Sequence, residues 1–341
     1  MTTTPIRSLS AVLDTGRTLL EPALRDAIGR HLGPEMSRIA HYHFGWADAD
    51  GRPTGTWGGK MVRPALALLS ARAAGAAAAD GLPAAVAVEL VHNFSLLHDD
   101  IIDGDETRRG RATAWTVFGM PGAILAGDAM VTAATSVLMS APGAGARSAT
   151  LALMTATQRM IDGQAADVEF ERREDVTLAE CVRMAGDKTG ALLGSACALG
   201  ADLLGAERHL VERLGAFGEH IGLAFQLVDD LLGIWGDPDS TGKQVAADLR
   251  VRKKSLPVVA ALEAPGTDEL RALYLRPEAL AESDIRRVTE LVERAGGRDW
   301  ARNEADRQIA AAAECLTTVG IPDDVRGEFQ EVADFIVGRR I

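Results

Sequence analysis

The sequence predicts an all-α protein. Apolar residues make up 47% of the 341 residues and aromatic residues only 4%, and the strong helix formers alanine and leucine are abundant. Apolar side chains recur at helical spacing, as at Leu20, Leu24 and Ile28. Strand signals are weak, because alternating β-branched runs are few and no Asn-Gly turn lies between them. These observations favour closely packed helices with small side chains.

The predicted helices follow one another along the chain. Residues 11–44 have an amphipathic period and are predicted as the first helix, followed by a polar, glycine-rich loop that ends before Met61. Breaks are predicted where glycine and proline cluster, at 81–83, 141–145 and 236–242. The other helices are predicted at 62–78, 84–103, 121–140, 147–170, 177–204, 207–234, 255–264, 282–295, 299–318 and 323–338.

Composition excludes several classes of function. The formal net charge of −12 argues against a nucleic-acid partner. Cys181, Cys197 and Cys315 lie far apart without metal-site spacing, so we expect buried thiols in a reducing cytoplasm. The N-terminus lacks the pattern of a signal peptide. The longest uncharged stretch, 129–146, is too polar for a membrane span, so a soluble protein is expected.

The most informative segment is LLHDDIIDGDETRRGR at 96–111. Asp99 and Asp103 are four residues apart, so on a helix their carboxylates share a face and repel each other. Arg108 and Arg109 follow at once. Carboxylates beside arginines suit a Mg²⁺–phosphate ligand, because the cation takes carboxylate oxygens and guanidinium groups take phosphate oxygens. The alternative is a solvated acidic helix end with two loop arginines.

A second acidic motif lies in FQLVDDLLGIWGD at 225–237. Asp229 and Asp230 again follow apolar residues, and Gln226 precedes them by one turn. A trinuclear Mg²⁺ site needs more carboxylates than one helix can supply, so the two acidic pairs could face each other across a cavity. Because the motifs must then converge, the whole chain, 1–341, is predicted to be a single domain.

These motifs resemble those of the trans-isoprenyl diphosphate synthases of the polyprenyl synthetase family, close to farnesyl and geranylgeranyl diphosphate synthases. The order and spacing of the motifs match throughout. The resemblance implies an isoprenoid synthase type I helical bundle around a central cavity, assembled as a homodimer. The matching segments are GGKMVRP (58–64), ELVHNFSLLHDDIID (89–103), RRGRAT (108–113), GQAAD (163–167), DKTG (187–190), FQLVDD (225–230), TGK (241–243) and RKKSLP (252–257).

The resemblance implies Mg²⁺-dependent, head-to-tail condensation of isopentenyl diphosphate with an allylic diphosphate. Loss of diphosphate from the allylic substrate demands positive charge around the leaving group, which Mg²⁺ supplies, with three ions expected. Asp99, Asp103 and Asp229 are the implied metal ligands. By family position, the allylic diphosphate is held by Arg108, Lys188, Lys243 and Lys253, while Thr189 and Gln226 stabilise the cation.

A second cationic cluster is implied for isopentenyl diphosphate. Its members by family position are Lys60, Arg63, His92 and Arg109. Lys60 and Arg63 are three residues apart, so one helix start can present both. His92 precedes Asp99 by seven residues and so lies on nearly the same helix face. For His92 the alternative is a core histidine whose ring nitrogens are hydrogen-bonded within the protein.

Two departures from the family pattern stand out. Gly233 occupies the fifth position of the second acidic motif, where another aspartate can stand, and this removes one possible ligand. Ala112 replaces a proline that is usual in the arginine motif. The first motif, DDIID, has no two-residue insertion.

Other functions fit the sequence less well. A class I terpene cyclase carries an NDxxSxxxE motif, and neither of the two asparagines, Asn93 and Asn303, opens that pattern. Inactive regulatory subunits have degraded acidic motifs and CxxxC pairs, whereas this chain has an intact DDIID and no CxxxC.

Product length is predicted from Phe94 and Ser95, the fifth and fourth residues before Asp99. One turn below the carboxylates, they are expected on the wall of the tunnel that holds the growing chain. One aromatic residue beside a small one resembles the pattern of C20 synthases. The predicted main product is therefore geranylgeranyl diphosphate, with farnesyl diphosphate as the alternative. In the other interpretation, Phe94 packs in the core and another residue sets the tunnel floor.

Overall fold

The computed structural model describes residues 9–55, 61–237 and 245–338. Its helices, in chain order, are α1 (Leu9–His31), α2 (Pro34–His43), α3 (Val62–Ala73), α4 (Leu82–Ile102), α5 (Ala114–Phe118), α6 (Met120–Met139), α7 (Ala146–Phe170), α8 (Leu178–Ala185), α9 (Ala191–Leu203), α10 (Arg208–Trp235), α11 (Ala247–Arg250), α12 (Leu256–Glu263), α13 (Asp268–Tyr274), α14 (Glu282–Arg294), α15 (Gly297–Thr317) and α16 (Asp323–Val337). A 3₁₀ turn (Ala78–Gly81) precedes α4, and a π-helical turn (Gly186–Gly190) joins α8 to α9. The all-α prediction is confirmed.

Most predicted helices agree with the structure within a few residues, but the first does not. The single helix predicted over 11–44 is wrong, because α1 ends at His31 and α2 begins at Pro34. Gly33 is extended, with φ −64° and ψ 162°, since the residue before a proline is disfavoured in the α region. Pro34 has no N–H to donate, so it starts a helix more easily than it continues one.

Other short elements were not predicted. The helices α5, α11 and α13 have seven residues or fewer, too short for a helical period to stand out. The strands β1 (Thr107–Arg108) and β2 (Arg111–Ala112) form a two-residue antiparallel hairpin within the arginine motif. The predicted helix over 177–204 is interrupted by the π-helical turn.

The chain divides into two compact units. Unit 1 comprises Met1–Thr155, Ser195–Leu214 and Val319–Val332, and unit 2 comprises Ala156–Gly194, Gly215–Thr318 and Ala333–Ile341. The expectation of a single domain over 1–341 stays a prediction.

Unit 1 is centred on α4, which packs against α3 and most extensively against α6. Small residues permit this approach, since a Cβ at Gly127 of α6 would lie 2.5 Å from the ring of His98 on α4. Ala123 and Ala126 on the same face of α6 are completely buried. The contact between α4 and α6 is therefore built on alanines, as the abundance of this residue in the sequence predicted.

The helix α6 has a second property. By length and composition alone, it is apolar enough to cross a membrane, and 39% of its most apolar window is buried. Several of its large apolar side chains are exposed, including Leu125 and Met139 at 55% and 54%. Burial in unit 1 therefore accounts for only one face of α6.

Unit 2 packs α8 and α15 against α12, and α14 against α13 and α15. Tyr274 at the end of α13 is completely buried and donates its hydroxyl proton to the carbonyl of Lys253 at 2.8 Å. Backbones approach closely at two glycines. A Cβ at Gly222 of α10 would lie 2.5 Å from the Cα of Gly190, at the end of the π-helical turn. A Cβ at Gly163 of α7 would lie 2.8 Å from the Cα of Lys188 in the same turn.

We predict that Gly222→Ala destabilises the protein by about 1–3 kcal/mol, because the backbone of the π-helical turn cannot yield as a flexible side chain can. The matched control is Gly29→Ala, at an exposed position of α1 with no atom within 4 Å of the added Cβ. That change is expected to be neutral or to stabilise by up to about 1 kcal/mol. Urea unfolding of both variants measures the difference, and equal stabilities would contradict the close approach.

Candidate active site

The carboxylates of the first acidic motif lie at the C-terminal end of α4. Asp99 is in the last turn, and Asp103 caps the helix by donating its N–H to the carbonyl of Asp99 at 2.8 Å. Asp103 is exposed and Asp99 half-buried. A helix C-terminus carries partial negative charge, so two carboxylates are disfavoured there unless a cation neutralises them. Their oxygens are the ligands that Mg²⁺ prefers.

Asp100 in the same motif plays a different part. It is 1% exposed, and its Oδ1 accepts a hydrogen bond from Arg108 Nε at 2.6 Å. Burial raises the pKa of Asp100, and the Arg108 guanidinium opposes that rise. Arg108, predicted to hold the allylic diphosphate, is therefore fixed by the residue next to the predicted metal ligand Asp99.

The arginine motif forms the β1–β2 hairpin, which is anchored to the end of α2. Arg109 and Gly110 at its tip both have positive φ, 53° and 73°, as a two-residue hairpin turn favours. Arg111 donates to the carbonyls of Tyr42 and Ala47 at 3.1 and 3.2 Å, and its guanidinium lies over the Tyr42 ring. Arg111 thus holds the hairpin, while Arg109 at the tip is exposed.

A polar cluster lies on α3 and α4, where the second diphosphate site was predicted, with Glu89 and Asn93 buried and Arg63 and His92 half-buried. Arg63 Nη1 is 3.4 Å from His92 Nε2, and because arginine only donates, His92 accepts and is neutral. Burial and Arg63 lower the pKa of His92 well below its usual value. Burial raises the pKa of Glu89 to about 7, against the opposing effects of Asn93 and Arg63. Asn93 donates to the carbonyl and to Oε1 of Glu89 at 2.8 and 2.9 Å.

A cavity of ≈ 250 Å³ in unit 1 is linked to this cluster by His43, which lines the cavity and hydrogen-bonds with Asn93. Three arginines line it with one carboxylate, that of Asp100, so its wall carries an excess of positive charge. The fourth predicted cation of the second site, Lys60, lies outside the described residues. The lining residues that bear polar or charged side chains are Tyr42, His43, Asp100, Arg108, Arg109, Arg111 and Thr113.

The second acidic motif lies within α10 in unit 2, where Asp230 is the centre of a network. Asp230 is 3% exposed. Its Oδ1 accepts from Gln226 Nε2 at 2.9 Å and lies 3.7 Å from Lys253 Nζ. Its Oδ2 accepts from the N–H of Leu256, in the first turn of α12, at 2.9 Å. The Asp230 carboxylate thus contacts Gln226, which was predicted to stabilise the allylic cation, and Lys253, which was predicted to bind the allylic diphosphate. It also accepts a hydrogen bond at the start of α12.

The π-helical turn brings two more predicted residues into this network. Thr189 Oγ1 donates to Gln226 Oε1 at 2.9 Å, and Lys188 Nζ lies 2.5 Å from Asp167 Oδ2 on α7. The Asp167 carboxylate therefore orients the Lys188 ammonium group. π-helical turns are rare and occur often at functional sites. The close approach of Gly163 on α7 leaves room for this turn.

These residues surround a second cavity, of ≈ 150 Å³, within unit 2. Asp230 raises the pKa of Lys253, whereas burial lowers the pKa of the adjacent Lys254. Of these two lysines, Lys253 is the one that the family resemblance assigns to the allylic diphosphate. The residues that line the cavity are Asp167, Met184, Lys188, Gln226, Asp229, Asp230, Lys253 and Ser255. Lys243, predicted in the same role, lies outside the described residues.

The structure gives a physical reason for the glycine in the second acidic motif. A Cβ at Gly233 would lie 2.5 Å from Cγ of Asp248 on α11, which is 8% exposed. Any side chain at position 233 would therefore displace a buried carboxylate. Asp248 raises the pKa of Lys253, so it is also close to that lysine. Sequence reasoning did not identify Asp248, although it stands five residues before Lys253.

The predicted chain-length residues lie on α4. Phe94 is 8% exposed, and its ring packs edge-on against His98 with centroids 4.7 Å apart. A Cβ at Gly127 of α6 would lie 3.3 Å from Phe94. Ser95 donates to the carbonyl of His92 at 2.8 Å. Phe94 thus occupies the α4–α6 contact.

Some polar residues near the site were not assigned a role from the sequence. Glu89 and Asn93 are four apart in an otherwise apolar helix, and that spacing could have identified them as a pair. His43 is the last residue of α2, and no sequence pattern distinguishes it from its neighbours. Within the described ranges, no three His, Cys, Asp or Glu side chains are grouped as a metal site. Of the predicted metal ligands, Asp99 and Asp103 belong to unit 1 and Asp229 to unit 2.

Comparisons with known proteins agree with the resemblance seen in the sequence. The family model described as polyprenyl synthetase matches residues 54–292. The chain is 46% identical over 334 residues to (2E,6E)-farnesyl diphosphate synthase of Mycobacterium tuberculosis, covering 96% of this chain and 93% of the relative. It is 44% identical over 327 residues to geranylgeranyl diphosphate synthase of the same organism, covering 93% and 92%.

Solved structures are similar over nearly the whole chain. The crystal structure of polyprenyl synthetase from Streptomyces coelicolor A3(2) has a TM-score of 0.90 and 52% identity, covering 96% of this chain and 99% of that one. Geranylgeranyl pyrophosphate synthase from Corynebacterium glutamicum, complexed with isoprenyl diphosphate and magnesium, has a TM-score of 0.75 and 26% identity, covering 94% and 98%.

We predict that Asp230→Asn makes Lys253 more reactive toward acetylation, because loss of the carboxylate charge lowers the pKa of the lysine. Lys254 is the internal control, since its pKa is set by burial first. Mass spectrometry of briefly acetylated protein gives the ratio of the two modifications. An unchanged Lys253-to-Lys254 ratio in the variant would show that Asp230 does not control Lys253.

Proposed function

The chain belongs to the polyprenyl synthetase family and is a prenyl-transferring enzyme, and from this premise we propose its reaction in detail. It condenses isopentenyl diphosphate head-to-tail with an allylic diphosphate, with geranylgeranyl diphosphate as the main product. The observation that carries the proposal is the pair of carboxylates, Asp99 and Asp103, at the negative end of α4, beside an arginine hairpin. Such an arrangement suits a diphosphate that binds together with a divalent cation.

The proposed metal ligands are Asp99, Asp103 and Asp229, and three Mg²⁺ ions are proposed. Hard oxygen ligands and the negative end of α4 fit this cation. When bound, Mg²⁺ acts as a Lewis acid that stabilises the negative charge of the departing diphosphate. Asp100 does not join the ligands in this proposal, since it is occupied in holding Arg108.

The allylic diphosphate is proposed to bind Arg108, Lys188, Lys243 and Lys253. Of these, Lys188 and Lys253 are each oriented by a carboxylate, Asp167 and Asp230. Thr189 gives its proton to Gln226, so lone pairs of the Thr189 oxygen remain to stabilise an allylic cation. Gln226 is in turn fixed by its donation to Asp230.

Isopentenyl diphosphate is proposed to bind Lys60, Arg63, His92 and Arg109. His92 is neutral with Nε2 accepting from Arg63, so its Nδ1 carries the proton and can donate to a phosphate oxygen. Arg109 lies at the hairpin tip, where its φ is positive, and it lines the cavity of unit 1. After the alkene attacks the cation, a proton leaves the condensed product.

Product length is proposed to depend on Phe94 and Ser95, as the sequence suggests. The position of the Phe94 ring between α4 and α6 supports a barrier role, because its displacement would open space between two helices. Farnesyl diphosphate is the alternative product, since the farnesyl and geranylgeranyl synthases of M. tuberculosis are 46% and 44% identical to this chain.

A cytoplasmic homodimer is proposed as the working form. The exposed apolar side chains of α6 and α7, including Leu125, Met139 and Leu151 at 55%, 54% and 60% exposure, favour burial against a second copy. Cys181, Cys197 and Cys315 are free and buried, which suits a reducing compartment. Sedimentation of the chain at its own mass of 36.0 kDa would contradict the dimer.

The function is tested by incubating the purified chain with Mg²⁺, isopentenyl diphosphate and an allylic diphosphate, and by measuring products by mass. We predict that Asp103→Ala reduces turnover by orders of magnitude, because it removes a metal ligand, while the fold survives relief of like-charge repulsion. The matched control is Asp105→Ala two residues further on, which keeps the backbone carbonyl that accepts from Thr113 and Trp115. Wild-type turnover in Asp103→Ala would refute the metal assignment.

Substitutions at the predicted tunnel wall change product length in opposite directions. We predict that Phe94→Ala gives products longer than C20, because each added isoprene unit needs roughly one helical turn of further depth. Ser95→Phe is predicted to shift the main product to C15 by adding a second aromatic residue. Chromatography of the dephosphorylated products measures both. If both variants keep the wild-type distribution, the tunnel floor lies elsewhere.

A further inference from the structure

His43, in the last turn of α2, lines the arginine-rich cavity of unit 1 but belongs to none of the predicted ligand sets. Arg108, Arg109 and Arg111 line the same cavity. His43 links the cavity to the cluster of Arg63 and His92, because it hydrogen-bonds with Asn93 and lowers the pKa of His92. A histidine at this place would contact an anion that occupies the cavity.

The Asn93 side chain determines which nitrogen of the His43 ring carries its proton. The Asn93 amide nitrogen donates to Glu89, so its amide oxygen remains to accept from His43. In the neutral ring the proton is therefore on the nitrogen that faces Asn93, and the other nitrogen is an acceptor. That second nitrogen repels a phosphate oxygen unless the ring gains a proton and becomes an imidazolium.

In the free protein the surroundings keep this ring neutral. Burial comes first, and Arg109, Arg108 and Arg111 add to it, so that the pKa of His43 falls to about 3, while the hydrogen bond with Asn93 opposes the fall. A diphosphate in the cavity reverses the balance, because its charge offsets that of the arginines and directly favours an imidazolium.

We propose that His43 is a further ligand of isopentenyl diphosphate and that its ring takes up one proton from solvent when that diphosphate binds. This inference rests on the proposed function, since it assigns the anion of the unit 1 cavity to the condensing substrate. The proton adds to the ring nitrogen that does not face Asn93, and the resulting N–H donates to a phosphate oxygen. No other bond changes.

The proposal predicts a pH dependence with a definite sign. Binding with proton uptake weakens as pH rises, by up to about tenfold per pH unit between the pKa values of free and bound His43. A glutamine at position 43 can donate without a proton from solvent, so its affinity lacks this dependence. Subtracting the pH dependence of one protein's affinity from that of the other cancels the ionisation of isopentenyl diphosphate itself, which is common to both.

The test is calorimetric titration of wild type and His43→Gln with isopentenyl diphosphate alone, which leaves no allylic partner to react. Repeating it at one pH in buffers of different ionisation enthalpy gives the number of protons taken up. We expect wild type to take up about one proton more than His43→Gln. His41→Gln is the matched control, because His41 lies on the same helix but packs against Trp46 and does not line the cavity.

Glu89 is the competing proton acceptor, since it is linked to His43 through Asn93 and has a raised pKa. Titration of Glu89→Gln separates the two. If the uptake disappears in Glu89→Gln and persists in His43→Gln, the proton goes to Glu89 and the proposal is overturned. An equal proton count in wild type and His43→Gln overturns it as well.

A direct measurement covers the case in which His43→Gln fails to fold. Nitrogen-15 NMR of histidine-labelled wild type, with and without isopentenyl diphosphate, distinguishes a neutral ring from an imidazolium. A His43 signal that stays neutral in the saturated protein overturns the proposal. Product formation by wild type is measured separately: its absence refutes the proposed function, whereas its presence with an unchanged His43 refutes only the role of His43.

Discussion

In unit 1, charges of one sign are gathered at two places, and this constraint explains much of the architecture of the candidate site there. Two carboxylates end α4, where the helix itself is negative. Three arginines line the cavity of unit 1 beside histidines that burial and positive charge keep neutral. Such groupings are unfavourable until a ligand of opposite charge arrives. A diphosphate with divalent cations brings both signs at once, which is why the geometry fits this substrate class.

Carboxylates outside the proposed metal site position basic side chains instead. Asp100 holds Arg108, Asp167 holds Lys188, and Asp230 lies beside Lys253. Long basic side chains lose conformational entropy when they are ordered on a ligand. Fixing them beforehand moves part of that cost from substrate binding to folding. Asp230 extends this effect by also accepting from Gln226 and from the first turn of α12.

Small residues make this arrangement sterically possible. Gly163 and Gly222 allow two helices to approach the π-helical turn that carries Lys188 and Thr189. Gly233 leaves space for the buried Asp248. In the sequence, Gly233 was a departure that removed a possible metal ligand. In the structure, position 233 lacks room for a side chain because the Asp248 carboxylate occupies that space.

The sequence by itself determined the helical class, most helix boundaries and the residues of both acidic motifs, because periodicity, capping and charge spacing are local properties. It failed where a local signal was outweighed or too short, as at Pro34, which splits the first predicted helix, and at the hairpin of Arg109. Only the tertiary structure decided the partners of Asp100, Asp230 and Asp248. Gln226 apart, which precedes Asp230 by one turn of α10, those partners come from other helices or loops, and no spacing along the chain records which side chains folding brings together. The same holds for His43, whose role depends on three arginines that lie more than sixty residues further along the chain.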